Sequence, residues 1–136
     1  MEDIAVIDMV RYLSEDKTAS HEVLVKLLKL YNLKFDIQKG PESLTNYLVL
    51  SDDAGFHPLF AAHIDRQLGS SGANDNCSSV AILIHLAQVF KEQSLPASFA
   101  FLDGEEQGGK GASLFVSSQK KWNFSVIFDV DITGFG

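Results

Sequence analysis

The second half of the sequence alternates in a way that few folds accommodate. Short apolar runs at 58–63, 97–102 and 124–131 are separated by segments of helical period at 76–92 and 110–119. In the first of these segments Val80, Leu83, Ile84, Ala87 and Phe90 recur at three- and four-residue spacing. The run Pro58-Leu-Phe-Ala-Ala-His63 is short and continuously apolar, as expected of a strand buried on both faces. Strand, helix, strand, helix, strand in this order predicts right-handed crossovers and parallel pairing.

The first half reads differently. Ile4, Ile7, Val10 and Leu13 lie three apart and mark one helix within residues 2–14. Val23, Leu24, Leu27, Leu28 and Tyr31 mark a second, over 21–31, with Ser20 as its expected N-cap. The period then shortens: Leu33, Phe35 and Ile37 alternate with Lys34, Asp36 and Gln38, and Gly40-Pro-Glu-Ser43 supplies a turn before residues 44–50. That is a hairpin. A chain of 136 residues buries about two thirds of its unfolded surface on folding, enough for one core. The expectation is one domain over 1–136, with helices in 1–31, a hairpin at 33–51 and a βαβαβ region at 57–136.

Charge narrows the partners. Eleven Lys plus Arg against eighteen Asp plus Glu gives a net charge of −7, and no basic cluster exceeds Lys120-Lys121, so neither nucleic acid nor an anionic membrane surface is expected to bind. No apolar run approaches the roughly 20 residues that span a bilayer. The acidic start, without the basic region of a signal peptide, and the single cysteine, Cys77, lead to the expectation of a cytoplasmic location.

Four polar groups punctuate the apolar runs: His63-Ile-Asp65, Asp75-Asn76, Glu105-Glu106 and Asp129-Val-Asp131. Parallel strands bring their carboxyl ends to one edge of a sheet, where ligands bind, so His63, the Glu pair and Asp131 should converge. Each group alone has a plain structural reading: a strand-end turn, a helix cap at Asp75-Asn76, a solvated acidic loop. Their joint order at one edge favours a site. One imidazole among four or five carboxylates repels itself unless a cation neutralises it or some groups take up protons. A divalent metal answers that need, and zinc suits a mixed nitrogen and oxygen donor set. Asp65 could hold the second ring nitrogen of His63. Adjacent Glu105 and Glu106 point in different directions, so one could bind metal while the other acts as general base. His21, His57 and His85 read as structural. Neither a phosphate-binding loop nor a nucleophile elbow is present.

The segments Ala61-Ala-His-Ile-Asp65, Gly72-Ala-Asn-Asp-Asn-Cys-Ser-Ser-Val-Ala81, Phe101-Leu-Asp-Gly-Glu-Glu-Gln-Gly-Gly-Lys-Gly-Ala112 and Asp129-Val-Asp-Ile-Thr-Gly134 resemble the zinc-dependent exopeptidases of the bacterial leucyl aminopeptidase type. The resemblance implies a three-layer α/β/α fold with a mixed, mostly parallel sheet, and a chain shortened at its C-terminal side. It implies that His63 and Asp131 bind a first zinc, that Asp75 bridges two metals, that Glu106 binds the second, that Asp65 orients His63, and that Glu105 is the general base. Relatives take a histidine for the second zinc from beyond the Asp131 position, so single or partial metal occupancy, or an empty site, is expected. The implied activity is aminopeptidase action on peptides with a free N-terminus. A glutaminyl cyclase-like acyl transfer and a noncatalytic metal- or partner-binding role stay open as alternatives. Apolar surface left uncovered in a shortened chain leads to the further expectation of homo-oligomers.

Overall fold

The computed structural model describes residues 5–15, 20–65 and 73–131; the side chains of Glu15, Ser20, Ala73, Asn74 and Asp75 fall outside that description. The chain forms helix α1 (Val6–Glu15), helix α2 (Ser20–Leu30), strands β1 (Asp36–Lys39), β2 (Thr45–Val49) and β3 (His57–His63), and a wide helical turn (Ala73–Ser78) that runs into helix α3 (Ser79–Glu92). Strand β4 (Ser98–Leu102), a short 3₁₀ turn (Glu105–Gln107), helix α4 (Lys110–Ser118) and strand β5 (Phe124–Asp129) follow. Among the described residues no helix is long and apolar enough to cross a membrane.

The five strands form one mixed sheet in the order β1-β2-β4-β3-β5. The hairpin partners β1 and β2 are antiparallel, as are β2 and β4. Strand β3 runs parallel to both of its neighbours, β4 and β5, as the alternating pattern predicts. Strand alternation sends Tyr47, Phe99 and Phe101 to one face, where they pack with Met9, Leu13, Leu24 and Leu28 of the first two helices and with Val80, Leu83 and Ile84 of α3. Leu48, Leu59, Ala61 and Ala100 face the other way, against Phe115 of α4 and Phe124. The result is three layers, α1–α3, sheet and α4. Phe60 stitches the parallel strands together, stacking on Phe99 and Phe128 with ring centroids 5.3 and 5.0 Å apart.

Two expectations shift. Regular alternation through Leu33, Phe35 and Ile37 fails: pairing starts only at Asp36, Leu33 is in the core, and Ile37 is exposed because β1 is an edge strand. The final strand ends at Asp129 rather than Asp131 and forms the opposite edge, with Val126, Ile127 and Phe128 all exposed. Its apolar composition does not make it a buried strand.

At the amino end of β3, His57 is tied into the framework. Its Nδ1–H donates to the Gly55 carbonyl at 3.0 Å, leaving Nε2 to accept the Ser98 hydroxyl at 2.8 Å. The same hydroxyl accepts the Ser51 N–H at 2.9 Å. At the other end, buried Asn46 makes the junction. Its Oδ1 accepts the Asp103 N–H and its Nδ2 donates to the Gly111 carbonyl, each at 2.9 Å. The Asp103 carboxylate accepts the N–H groups of Thr45 and Gly104. The loop that follows β4 is thereby bolted to β2.

Gly111 makes that junction possible. A Cβ there would lie 2.0 Å from the Asp103 carbonyl oxygen and 2.7 Å from Asn46 Oδ1, both held in place by the bonds just described. Gly111→Ala should therefore cost about 3 kcal/mol or more of unfolding free energy. Gly108→Ala meets nothing within 4 Å and carries only the strain of φ +86°, about 1 kcal/mol. Urea denaturation of both variants checks the ranking; equal losses would show that the Gly111 contact does not decide it.

Candidate functional site

His63 is the last residue of β3 and is paired with Leu102, the last of β4. The two strands remain joined one step further by the Ile64 N–H on the Leu102 carbonyl at 2.8 Å. On the other side, the Val130 N–H bonds the Ala61 carbonyl at 2.8 Å, which delivers Asp131 beside His63. The carboxyl ends of three parallel strands thus present His63, the Glu105–Glu106 turn and Asp131 together. Ligand atoms of His63, Glu105 and Glu106 come within 4.8 Å of one another, and His63 Nε2 lies 3.2 Å from Asp131 Oδ1.

The imidazole is oriented from behind. Its Nδ1–H donates to the main-chain carbonyl of Asp65 at 3.0 Å, while the Asp65 carboxylate stands off at 3.5 Å. Asp65 therefore faces Nδ1 with both its carbonyl and its carboxylate, the carbonyl at the shorter distance. The same carboxylate also holds the turn, with Oδ1 accepting the N–H of Glu105 at 3.0 Å and Oδ2 that of Glu106 at 2.9 Å. One aspartate thus fixes the ring and the turn that carries both glutamates. Glycines at positive φ on each side, Gly104, Gly108 and Gly109, let the chain bend sharply enough to form that turn.

With Nδ1 committed to a carbonyl, Nε2 faces a carboxylate oxygen, and a bare lone pair there would repel it. Something positive has to lie between them, and a proton serves in the absence of a metal. Burial lowers the His63 pKa, but the hydrogen bonds to Asp65 and the charge and hydrogen bond of Asp131 outweigh it and raise the pKa to about 10. Burial of Asp65 works toward a higher pKa and is outweighed by its bonds to His63 and to the two glutamate amides, so it stays below its ordinary value. Glu105 is pushed up, first by slight burial and then by the Glu106 and Asp131 charges, with His63 pulling the other way.

Asp75 lies in the wide turn before α3, and its side chain is outside the described residues. The expected helix-cap reading of Asp75-Asn76 does not hold for Asn76. Its Nδ2 instead donates to the carbonyls of His63 and Val130, at 3.3 and 3.1 Å. Sequence patterning also missed Ser79, whose hydroxyl donates to the Asp131 carbonyl at 2.9 Å, and the Asn46–Asp103 junction. Single Asn and Ser residues have no spacing rule; only their burial marks them. His85, read as structural, is exposed on α3.

The folded chain holds the His63 proton up to about pH 10, whereas an unfolded chain releases it near 6.5. His63 therefore stabilises the metal-free fold fully below pH 6.5 and progressively less as pH rises to about 10. Asp65 acts in the other direction, with its stabilisation lost as pH falls below its ordinary 3.8. Urea midpoints measured in EDTA should fall between pH 6.5 and 10 for the natural chain and stay flatter for His63→Ala; parallel curves would refute this account of the site.

Residues 46–136 match the model of peptidase family M28. Among solved structures, a leucine aminopeptidase precursor from Bacteroides thetaiotaomicron aligns over 95% of this chain and 61% of its own, with 17% identity and a TM-score of 0.80. The glutaminyl cyclase of Porphyromonas gingivalis aligns over 95% and 60%, with 15% identity and a TM-score of 0.82. A zinc aminopeptidase from Bacillus subtilis shares 27% identity over 66% of this chain and 24% of its own, at a TM-score of 0.58. The chain spans about three fifths of the length of the first two. The likenesses under a quarter identical speak for the fold, which is the α/β arrangement of zinc exopeptidases. The family match runs from β2 through every acidic group gathered at the sheet edge, and on that match the chain belongs to peptidase family M28.

Proposed function

We propose that the chain carries the metal site of a zinc-dependent aminopeptidase, a hydrolase that removes residues from free peptide N-termini. The observation that supports this most directly is His63 Nε2 turned toward Asp131 Oδ1 at 3.2 Å, with four carboxylates around one imidazole among the described residues. That donor set fits a zinc ion: one nitrogen from an imidazole already held at its other nitrogen, and carboxylate oxygens in excess. In this reading His63, Asp75 and Asp131 hold the ion and Glu106 supplies a further oxygen. When bound, zinc polarises a peptide carbonyl and makes water more acidic.

The protein's own groups do the rest. Glu105 is exposed, is carried on a turn fixed by Asp65, and has its pKa pushed up, which suits a base that takes a proton from the attacking water and returns it to the leaving amine. The excess of carboxylates favours the ammonium of a free N-terminus over an uncharged chain interior.

Glu105→Gln should lower kcat by about 10²–10⁴-fold with zinc affinity retained. The assay is release of nitroaniline from aminoacyl nitroanilides by the zinc-loaded chain, with cyclisation of an N-terminal glutaminyl peptide measured in parallel. Cyclisation without hydrolysis would replace the aminopeptidase reading by acyl transfer. Zinc binding with neither reaction would replace it by a noncatalytic role. His63→Ala should weaken zinc binding by at least about tenfold, as read by competition with a chromophoric chelator.

A further inference from the structure

The ladder between β3 and β5 stops before the site. Its last register pair is Ala61 with Asp129, and its last backbone bond joins the Val130 N–H to the Ala61 carbonyl. His63 and Asp131 both lie beyond it, on strand ends that need another means of keeping their separation. Two side chains at the foot of α3 reach across to these ends. Asn76 Nδ2 spends its two hydrogens on the carbonyls of His63 and Val130, and Ser79 Oγ donates to the carbonyl of Asp131. Both residues are buried, Asn76 at 2% exposure and Ser79 at 0%, so water is poorly placed to substitute for either.

Asn76 carries a further sign of purpose. Its Oδ1 is buried and has no hydrogen-bond partner among the described residues. A leucine, with the same branching, would occupy the position without stranding an acceptor. What the amide gains is the pair of donated bonds that tie one strand end to the other, and an aspartate in its place could donate neither.

We infer that Asn76 and Ser79 are positioning residues that hold Asp131 against His63 by bonding the backbone at the two strand ends. The consequence for metal binding rests on the zinc reading above; the positioning itself does not. Removing either donor should let Asp131 drift from His63, lengthening the contact between Nε2 and Oδ1 and loosening the gap in which a cation would sit.

The test compares Asn76→Ala and Ser79→Ala with Ser98→Ala, which removes an equally buried hydroxyl from the His57 network at the far end of the sheet. In the metal-free 136-residue chain at fixed pH, the ring ¹⁵N resonances of His63 should move toward those of Asp131→Asn in the first two variants and stay in place in Ser98→Ala. Zinc affinity should fall about tenfold or more in the first two and less than about twofold in the third. Ser79→Cys, close in size and a poor donor, replaces Ser79→Ala if that variant does not fold. Unmoved His63 resonances in Asn76→Ala and Ser79→Ala, or equal movement in Ser98→Ala, would overturn the inference. Absence of zinc binding by the unaltered chain would overturn the zinc reading, and the resonances would still decide the positioning.

Discussion

Among the described residues, four carboxylates share one end of the sheet with a single imidazole, and the surrounding structure is arranged around that imbalance. Asp65, Glu105, Glu106 and Asp131 would separate if their side chains alone decided the matter, because like charges at this range repel in a partly desolvated site. They stay together because the backbone holds them from outside. The parallel pairing of β3 with both β4 and β5 brings the strand ends to one place, and the energy of that pairing comes from the apolar layers on the two faces of the sheet. The core supplies stability that the site then draws on.

The Glu105–Glu106 turn shows how the imbalance is managed locally. Two backbone N–H groups aim at the Asp65 carboxylate, so one of the four negative charges is satisfied by main-chain donors and is kept ionised. The turn is further anchored through Asp103, Asn46 and Gly111, which lock its base to β2 and to the start of α4. Glu105 itself is left exposed, and its pKa is pushed the opposite way. Carboxylates of one site are thus set to different electrostatic roles by which of them receives main-chain donors.

Much of this could be read from the sequence, because two periodicities carry it. Apolar runs with helical segments between them from Pro58 onward specify parallel strands, and parallel strands specify one shared edge, which brings His63, Glu105, Glu106 and Asp131 into reach of each other. Residues that act singly were not legible. Asn46, Asn76 and Ser79 are lone polar positions in apolar surroundings, and nothing in their spacing separates them from caps or surface residues; tertiary pairing alone assigns them. The use of Asp65 was half legible. Its position two residues after His63 suggested a hold on the ring; the carbonyl makes the shorter contact to Nδ1, and the carboxylate 3.5 Å from that atom also accepts from the turn, which no spacing rule announces. Burial at β5 was not legible either: Val126, Ile127 and Phe128 are apolar and still exposed, since burial depends on what packs against a strand and not on the strand itself.

The two histidines that bound β3 make the same point about environment. His57 and His63 are both buried and both donate from Nδ1 to a main-chain carbonyl two residues away in sequence. They differ in what Nε2 meets. At His57 it meets the Ser98 hydroxyl, which donates to the ring and accepts from Ser51, so every polar atom is matched and nothing further is needed. At His63 it meets a carboxylate, which can only accept, so a positive charge, a proton or a cation, belongs between the two atoms. A hydroxyl at one end closes a structural joint; a carboxylate at the other opens a place for a cation. The two ends of β3 are told apart by that one difference in partner.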